Sequence, residues 1–380
     1  MNLIEFGTIM HLQKGKKPST QIDKPQEGYL PYVDIKAFET GIVDSYTNDS
    51  KSLRCSEGDL LIVCDGSRSG LVGRAIDGYV CSTLALISAD GMLPEYLYYF
   101  LKGKYEILTT RKKGTGTPHL NPDILKKQKL IIPNETEQRK IVRRIEELFS
   151  ELDNAESTLL KTKEQLAVYR QAVLKSVFSN LEKTTSIREM SLVVTSGSRG
   201  WAKYYSEMGA KFIRIGNLTR DRLIIDLSSI QYVDLPLNAE GQRTRLQPND
   251  VLVSITADLG SIGLVPENIG EAYVNQHIAM IRFKNARQGE FMAWYLRSDY
   301  GQKELLKNKR GGGKLGLGLD DIRDSRVPDI DDETASKIVA EIENRLSVCD
   351  SIEQTVNTAL QQLQAMRRSI LKEAFEGRLS

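Results

Sequence analysis

Residues 133–178 read PNETEQRKIVRRIEELFSELDNAESTLLKTKEQLAVYRQAVLKSVF, and this stretch decides the architecture because it returns near the other end of the chain, from Pro328 to Phe375. With Ile141 laid on Ile338 the two copies keep register without a gap. Ile141, Val142, Ile145, Glu146, Ser150, Asp153, Glu156, Gln165, Leu166, Arg170, Leu174, Lys175 and Phe178 recur as Ile338, Val339, Ile342, Glu343, Ser347, Asp350, Glu353, Gln362, Leu363, Arg367, Leu371, Lys372 and Phe375. An internal repeat of this length governs how everything between its copies is read.

Each copy carries an apolar seam. Ile141, Ile145, Leu148, Leu152, Ala155, Leu159, Thr162, Leu166, Tyr169 and Val173 alternate steps of four and three, the spacing that keeps one stripe of a helix facing a partner helix. The second copy offers Ile338, Ile342, Leu346, Cys349, Ile352, Val356, Ala359 or Leu360, Leu363, Met366 and Ile370. Pro133 precedes the first helix, Asn134 or Thr136 can cap it, and Glu135 and Glu137 suit the positive end of its dipole. At ~1.5 Å per residue the helix extends roughly 60 Å, too long for a lone core helix. The two copies are therefore expected side by side and antiparallel, as a coiled-coil-like spacer.

What precedes each helix is also duplicated, more loosely. PYVDI at 31–35 resembles KFIRI at 211–215, EGDLLIV resembles PNDVLVS at 248–254, GSRSGLV at 66–72 resembles GSIGLV at 260–265, and YVCSTLALI resembles YVNQHIAMI at 273–281. A helix follows in each, PEYLYYFL from Pro94 and GEFMAWYL from Gly289. The expected fold is α+β: two globular mixed α/β domains separated by two long antiparallel coiled-coil-like helices, in a pseudo-twofold internal repeat. The boundaries are 1–132 for the first domain, 133–181 for the first spacer helix, 182–327 for the second domain and 328–380 for the second spacer helix.

Bulk properties bound the function. The 52 basic and 50 acidic side chains leave a net charge of +2, so affinity for nucleic acid has to come from local patches. Four cysteines form no CxxC pair and three histidines make no zinc-ligand spacing, which suits reduced thiols in a cytoplasm and argues against a structural metal or disulfide. No stretch approaches the ~20 apolar residues of a membrane span. Catalytic signatures are missing: there is no amino-methyltransferase box, no GxxxxGK[ST] phosphate loop and no glutamate followed two residues later by lysine. GGGKLG at 311–316 satisfies GxGxxG but follows a helix instead of a strand, and His11, His119 and His277 have no obvious nucleophile beside them.

What remains is a set of loops rich in Arg, Lys, Ser, Thr, Gly and His. The first domain has KGKKPST at 14–20, GSRSG at 66–70 and RKKGTGTPH at 111–119; the second has SGSRGWAKYY at 196–205, GQRTR at 241–245, TADLGS at 256–261, NQH at 275–277 and KNKRGGGK at 307–314. Cationic side chains neutralise phosphates, and Arg, Asn, Gln and His discriminate base edges. One basic loop is usually a solvated turn, but corresponding placement in both copies favours DNA contact. The candidates are Lys16, Arg68, Lys112, Thr117 and His119 in the first domain, and Ser198, Arg199, Tyr204, Gln276, Lys309, Arg310 and Lys314 in the second. Trp201 packs on a sugar or in its own loop core.

At this point the chain resembles the specificity (HsdS-type) subunits of type I restriction-modification systems. The resemblance spans essentially all 380 residues and is carried by PNETEQRKIVRRIEELFSELDNAE with YRQAVLKSVF, RRSILKEAFEGRL, KFIRIGNL at 211–218 with SGSRGW before it, and the order of segments. The second copy departs in DIDDETASKIV, which suggests a less regular helix start. The resemblance implies that each globular segment is a target recognition domain reading one half of a bipartite double-stranded DNA sequence, with helix length fixing the separation. It implies as partners two methylation subunits carrying S-adenosylmethionine and restriction subunits using ATP and Mg. No chemistry, cofactor or metal is then expected in this chain, which would serve DNA methylation and antiviral defence in the cytoplasm. The rivals are a free-standing nuclease or methylase fragment, and a helical scaffold or DNA-binding module without a sequence-reading role. Charge reversal at Arg199, Lys309 and Arg310 would leave a pure scaffold's binding unchanged.

Overall fold

The computed structural model describes residues 3–110, 118–220, 222–236, 240–307, 309 and 316–379. The repeat is realised as two helices of 44 residues each, Glu135–Phe178 and Asp332–Phe375. The chain resolves into two compact units, one of 1–160 with 357–380 and the other of 161–356, so the division falls inside both helices instead of at the ends of the four sequence segments.

In the first unit the start and end of the globular segment are tied by a two-stranded ladder, Ile4–Glu5 against Lys129–Leu130, just before the long helix leaves. Inside it, Met10–Lys14, Leu84–Ala89, Leu60–Val63 and Val72–Arg74 form an antiparallel sheet in that order. A second sheet places Leu30–Val33 parallel to Gly78–Val80, with Tyr46–Thr47 and Arg54–Cys55 at its edges. The stretch YVCSTLALI thus makes two strands, because the chain turns at 81–83 to pass from one sheet to the other. Leu60, Leu61, Ile62 and Val63 are buried on both faces, as expected of a continuous apolar run at the centre of a sheet. Helix Pro94–Thr110 packs Tyr96, Leu97, Phe100 and Leu101 into the same core as Val142 and Ile145 of the first long helix and Leu371 and Ala374 of the second.

The second unit repeats this plan. Thr184–Ser186 pairs with Arg326–Pro328, and Ser191–Ser196, Ile278–Phe283, Val251–Ser254 and Ile262–Leu264 form the antiparallel sheet in the corresponding order. Ala210–Ile213 runs parallel to Ala272–Val274, as its counterpart does in the first unit. The helix expected from Gly289 is broken into Gln288–Arg297 and Asp299–Leu306. Ser298, extended at ψ 162°, ends one piece and caps the next by accepting from the Gly301 amide.

Within each unit the long half-helices run antiparallel. Buried Leu166, Val173, Leu174 and Phe178 share one core with Ala335, Val339, Ile342, Leu346 and Cys349. Of the seam positions, Ile145, Leu152, Leu166, Ile342 and Val356 are buried and Ile141, Leu159, Ile338, Leu363 and Ile370 half-buried. The strict heptad expectation fails at Ala155, Tyr169, Ile352 and Met366, which are exposed. A straight helix of 3.6 residues per turn drifts about 20° per heptad, so a/d positions rotate out of the contact while neighbours rotate in. The second helix start is also as regular as the first. Asp331 accepts from the Thr334 amide at 2.8 Å, just as Asn134 accepts from the Glu137 amide at 3.0 Å.

Candidate nucleic-acid interface

Several of the loops singled out by composition meet, in their described residues, at one end of the antiparallel sheet in each unit. In the first, the Lys14 ammonium donates to Asp65 Oδ2 at 2.7 Å, and His119 Nδ1 lies 2.7 Å from Asp65 Oδ1. The Gly66 amide donates to the Pro118 carbonyl and the Leu120 amide to that of Cys64. One carboxylate thereby fastens loops 14–20, 66–70 and the end of 111–119. Burial alone would raise the Asp65 pKa, but the hydrogen bonds and charges of Lys14 and His119 outweigh it and hold the carboxyl below its ordinary value. Beside it opens a cleft of about 620 Å³ lined by Asp34, Lys36, Glu39, Asp65, Arg68 and Thr83 among others.

In the second unit the corresponding loops converge with different side chains. Thr256 Oγ1 lies 2.8 Å from His277 Nδ1, and Gln276 Nε2 lies 3.0 Å from His277 Nε2. The Gly197 amide donates to the Asn275 carbonyl, and the Leu317 amide to that of Ile255. Arg220 pairs with Asp258 at 2.6 Å on the neighbouring loop.

Backbone pairing makes the two ends superposable in residue terms. Lys14 stands opposite Ala85 and Ser196 opposite Ala279. Asp65 bridges His119, and Thr256 bridges Gly316. The Cys64 amide donates to the Thr83 carbonyl and the Ile255 amide to that of His277. Four positions are thus equivalent, Lys14 with Ser196, Asp65 with Thr256, Thr83 with His277 and His119 with Gly316, and none keeps its residue type. The frame around them does: Gly15 and Gly197 occupy places where an added Cβ would meet a carbonyl oxygen at 2.2 Å and 2.0 Å.

Among the sequence candidates, Lys16, Arg68, His119, Arg199 and Lys309 are exposed, and Ser198, Tyr204 and Gln276 half-buried. Arg68 is held by Glu39. His119 and Gln276 belong to the two clusters just described. Lys112, Thr117, Arg310 and Lys314 lie outside the described residues. Trp201 takes the core alternative: it is buried, stacked on Phe212 with ring centroids 5.3 Å apart. Asp65 and Thr83 lie just outside the loops that composition marks, and Lys14, Thr256 and His277 lie inside them without standing out from their neighbours. Their signal was a change of residue type between matched apolar strands.

Among the described residues no helix is long and apolar enough to cross a membrane. Residues 1–162 match the family model described as Type I restriction modification DNA specificity domain. The Type I restriction enzyme MjaVIII specificity subunit of Methanocaldococcus jannaschii is 24% identical over 402 residues, covering 99% of this chain and 92% of that one. The EcoBI specificity subunit of Escherichia coli is 22% identical over 357 residues, covering 85% and 74%. A structure solved in work on complex assembly and conformational transition of the type I R-M system shares the fold, with a TM-score of 0.74 at 17% identity over 99% of this chain and 98% of that one. With its duplicated α+β units, its two repeated helices and these matches along the chain, the protein is similar over nearly its whole length to the specificity subunits of type I restriction-modification systems and shares their fold.

Proposed function

We propose that this chain is the non-catalytic DNA sequence-reading subunit of its system, each globular segment reading one half of a bipartite duplex target. The observation that carries this reading is the pair of sheet ends just described, where one backbone frame holds two different sets of polar side chains. A conserved frame with exchanged polar groups is what two half-sites of different sequence require, since phosphate contacts position a protein and base-edge contacts specify. The family's description as a DNA specificity domain supports it. Methylation and cleavage then belong to partners: two methylation subunits supplied with S-adenosylmethionine, and restriction subunits using ATP and Mg.

The long helices are where we place a methylation subunit. In the second unit Tyr169, Val348 and Ile352 are exposed around Leu166 and Cys349, at a groove of about 490 Å³. Aromatic and branched apolar side chains exposed together mark a surface that another protein covers. The deciding experiment maps methylated bases in the genome of a cell carrying this chain with its methylation subunits. A two-part motif is expected, and the reading falls if the assembled complex binds all duplexes alike at fixed salt.

A further inference from the structure

We propose that Asp65 is a base-reading residue of the first domain, accepting a hydrogen bond from the exocyclic amino group of a cytosine in its half-site. The inference rests on the reading of the chain as a sequence-specific DNA binder and adds which residue reads and what it reads.

Asp65 sits at the first residue beyond strand Leu60–Val63 and its neighbour Cys64, at the point where three polar loops meet, and it lines the cleft of about 620 Å³. Its side chain is 22% exposed, so the carboxylate is restrained yet reachable. Lys14 donates to one oxygen and His119 lies against the other, one hydrogen bond on each, while an ionised carboxylate offers about four acceptor sites. Acceptor capacity therefore remains on a group whose orientation is already set. The same two neighbours offset its negative charge, which is the condition for a carboxylate to approach a phosphate-lined groove.

The chemistry of the remaining lone pairs then selects the base. An ionised carboxylate only accepts. In the major groove guanine shows two acceptors, thymine an acceptor beside a methyl group, and adenine a donor beside the N7 acceptor, which would repel a carboxylate. Cytosine shows an amino donor with no acceptor of its own beside it. The equivalent position in the second unit is Thr256, within hydrogen-bond distance of His277, so the second domain has no carboxylate there and reads a different edge.

The test uses the full chain in complex with its methylation subunits, selecting from a randomised double-stranded DNA pool at fixed salt, wild type against Asp65→Asn. Asparagine keeps the shape but replaces one acceptor by a donor. Preference at a single C·G pair in one half-site should relax by about five- to a hundredfold, with the other half-site unchanged. A motif left intact, a loss of preference at a pair other than C·G, or equal weakening on all sequences overturns the proposal. If Asp65→Asn erases one whole half-site, Asp65→Ser decides: recovery of all but the one C·G pair supports base reading, and loss of the whole half-site again makes Asp65 a scaffold residue. A wild-type complex that selects no motif removes the underlying reading, and this inference with it.

Discussion

Arg68, a proposed DNA-contacting residue, is paired with Glu39. The pair is half-exposed, with side-chain accessibilities of 55% and 30%, so it contributes little to stability. Its consequence is that Arg68 already has an anionic partner when DNA arrives. Glu39→Gln should free the guanidinium for a phosphate, strengthen binding to every duplex alike and steepen the slope of log K against log salt by up to ~0.9, leaving the motif unchanged in salt-controlled titrations. Glu290 carries a different message. Burial first, and the charge and hydrogen bond of Glu343 second, push its pKa up to about 7. In the first unit the equivalent of Glu343, Glu146, meets the Tyr99 hydroxyl instead. A raised folded-state pKa means stability that is fully present below the unfolded value near 4.5 and lost as pH rises toward 7. Glu290→Gln should therefore stabilise the protein above pH 7 by on the order of 1 kcal/mol after discounting for solvent screening, and this gain should vanish below about pH 5 in denaturant titrations of variant against wild type.

At the scale of elements, the recurring polar residues of the long helices prove as telling as the apolar ones. Arg170 donates to Glu353 at 2.8 Å and to Asp350 at 2.5 Å. Arg367, its repeat, donates to Glu156 at 2.8 Å and to Asp153, the repeats of those two carboxylates. The repeated sequence thus makes the same clamp twice, once in each unit, and only an antiparallel pairing at this register satisfies both. The members are not equal. Asp350 has 71% of its side chain exposed and Glu353 23%, against 18% for Arg170. Screening by water makes the Asp350 arm weak, whereas loss of a half-buried partner leaves a charge poorly solvated. Unfolding titrations should find Asp350→Asn within about 0.5 kcal/mol of wild type. Arg170→Leu, which leaves Glu353 with only the longer 3.8 Å pair to Lys163, should cost about 1–3 kcal/mol.

For the whole molecule, both 44-residue helices run without a break across the boundary between units, and the proposed two-part reading makes their length testable. Insertion of one heptad after Leu160 and one after Val356 adds about 10.5 Å to each helix and rotates the flanking segments by only about 20°. At ~3.4 Å per base pair the distance between half-sites should grow by about three base pairs, with both half-site sequences retained. Mapping of methylated bases checks this, and an unchanged spacing would separate helix length from target geometry.

The order of globular segment and helix, the duplication and the antiparallel pairing were legible in the residues, because a long amphipathic helix of period near 3.5 cannot be stable alone and its copy supplied the only matching seam. The strands were legible too, from short apolar runs between turn residues. Which loops would meet was not. That depends on hydrogen bonds between segments far apart in sequence, such as Asp65 with Lys14 and His119, and no local pattern encodes them. Composition points to Arg68 and His119 in cationic loops, whereas tertiary structure puts a carboxylate between Lys14 and His119. Likewise the heptad rule named Tyr169, Ile352 and Met366 as seam, and packing turned them to the surface, because the drift of a real helix against an ideal repeat is decided by what it packs on. Sequence determined the frame through local periodicity and repetition; only the fold decided which polar groups that frame brings together.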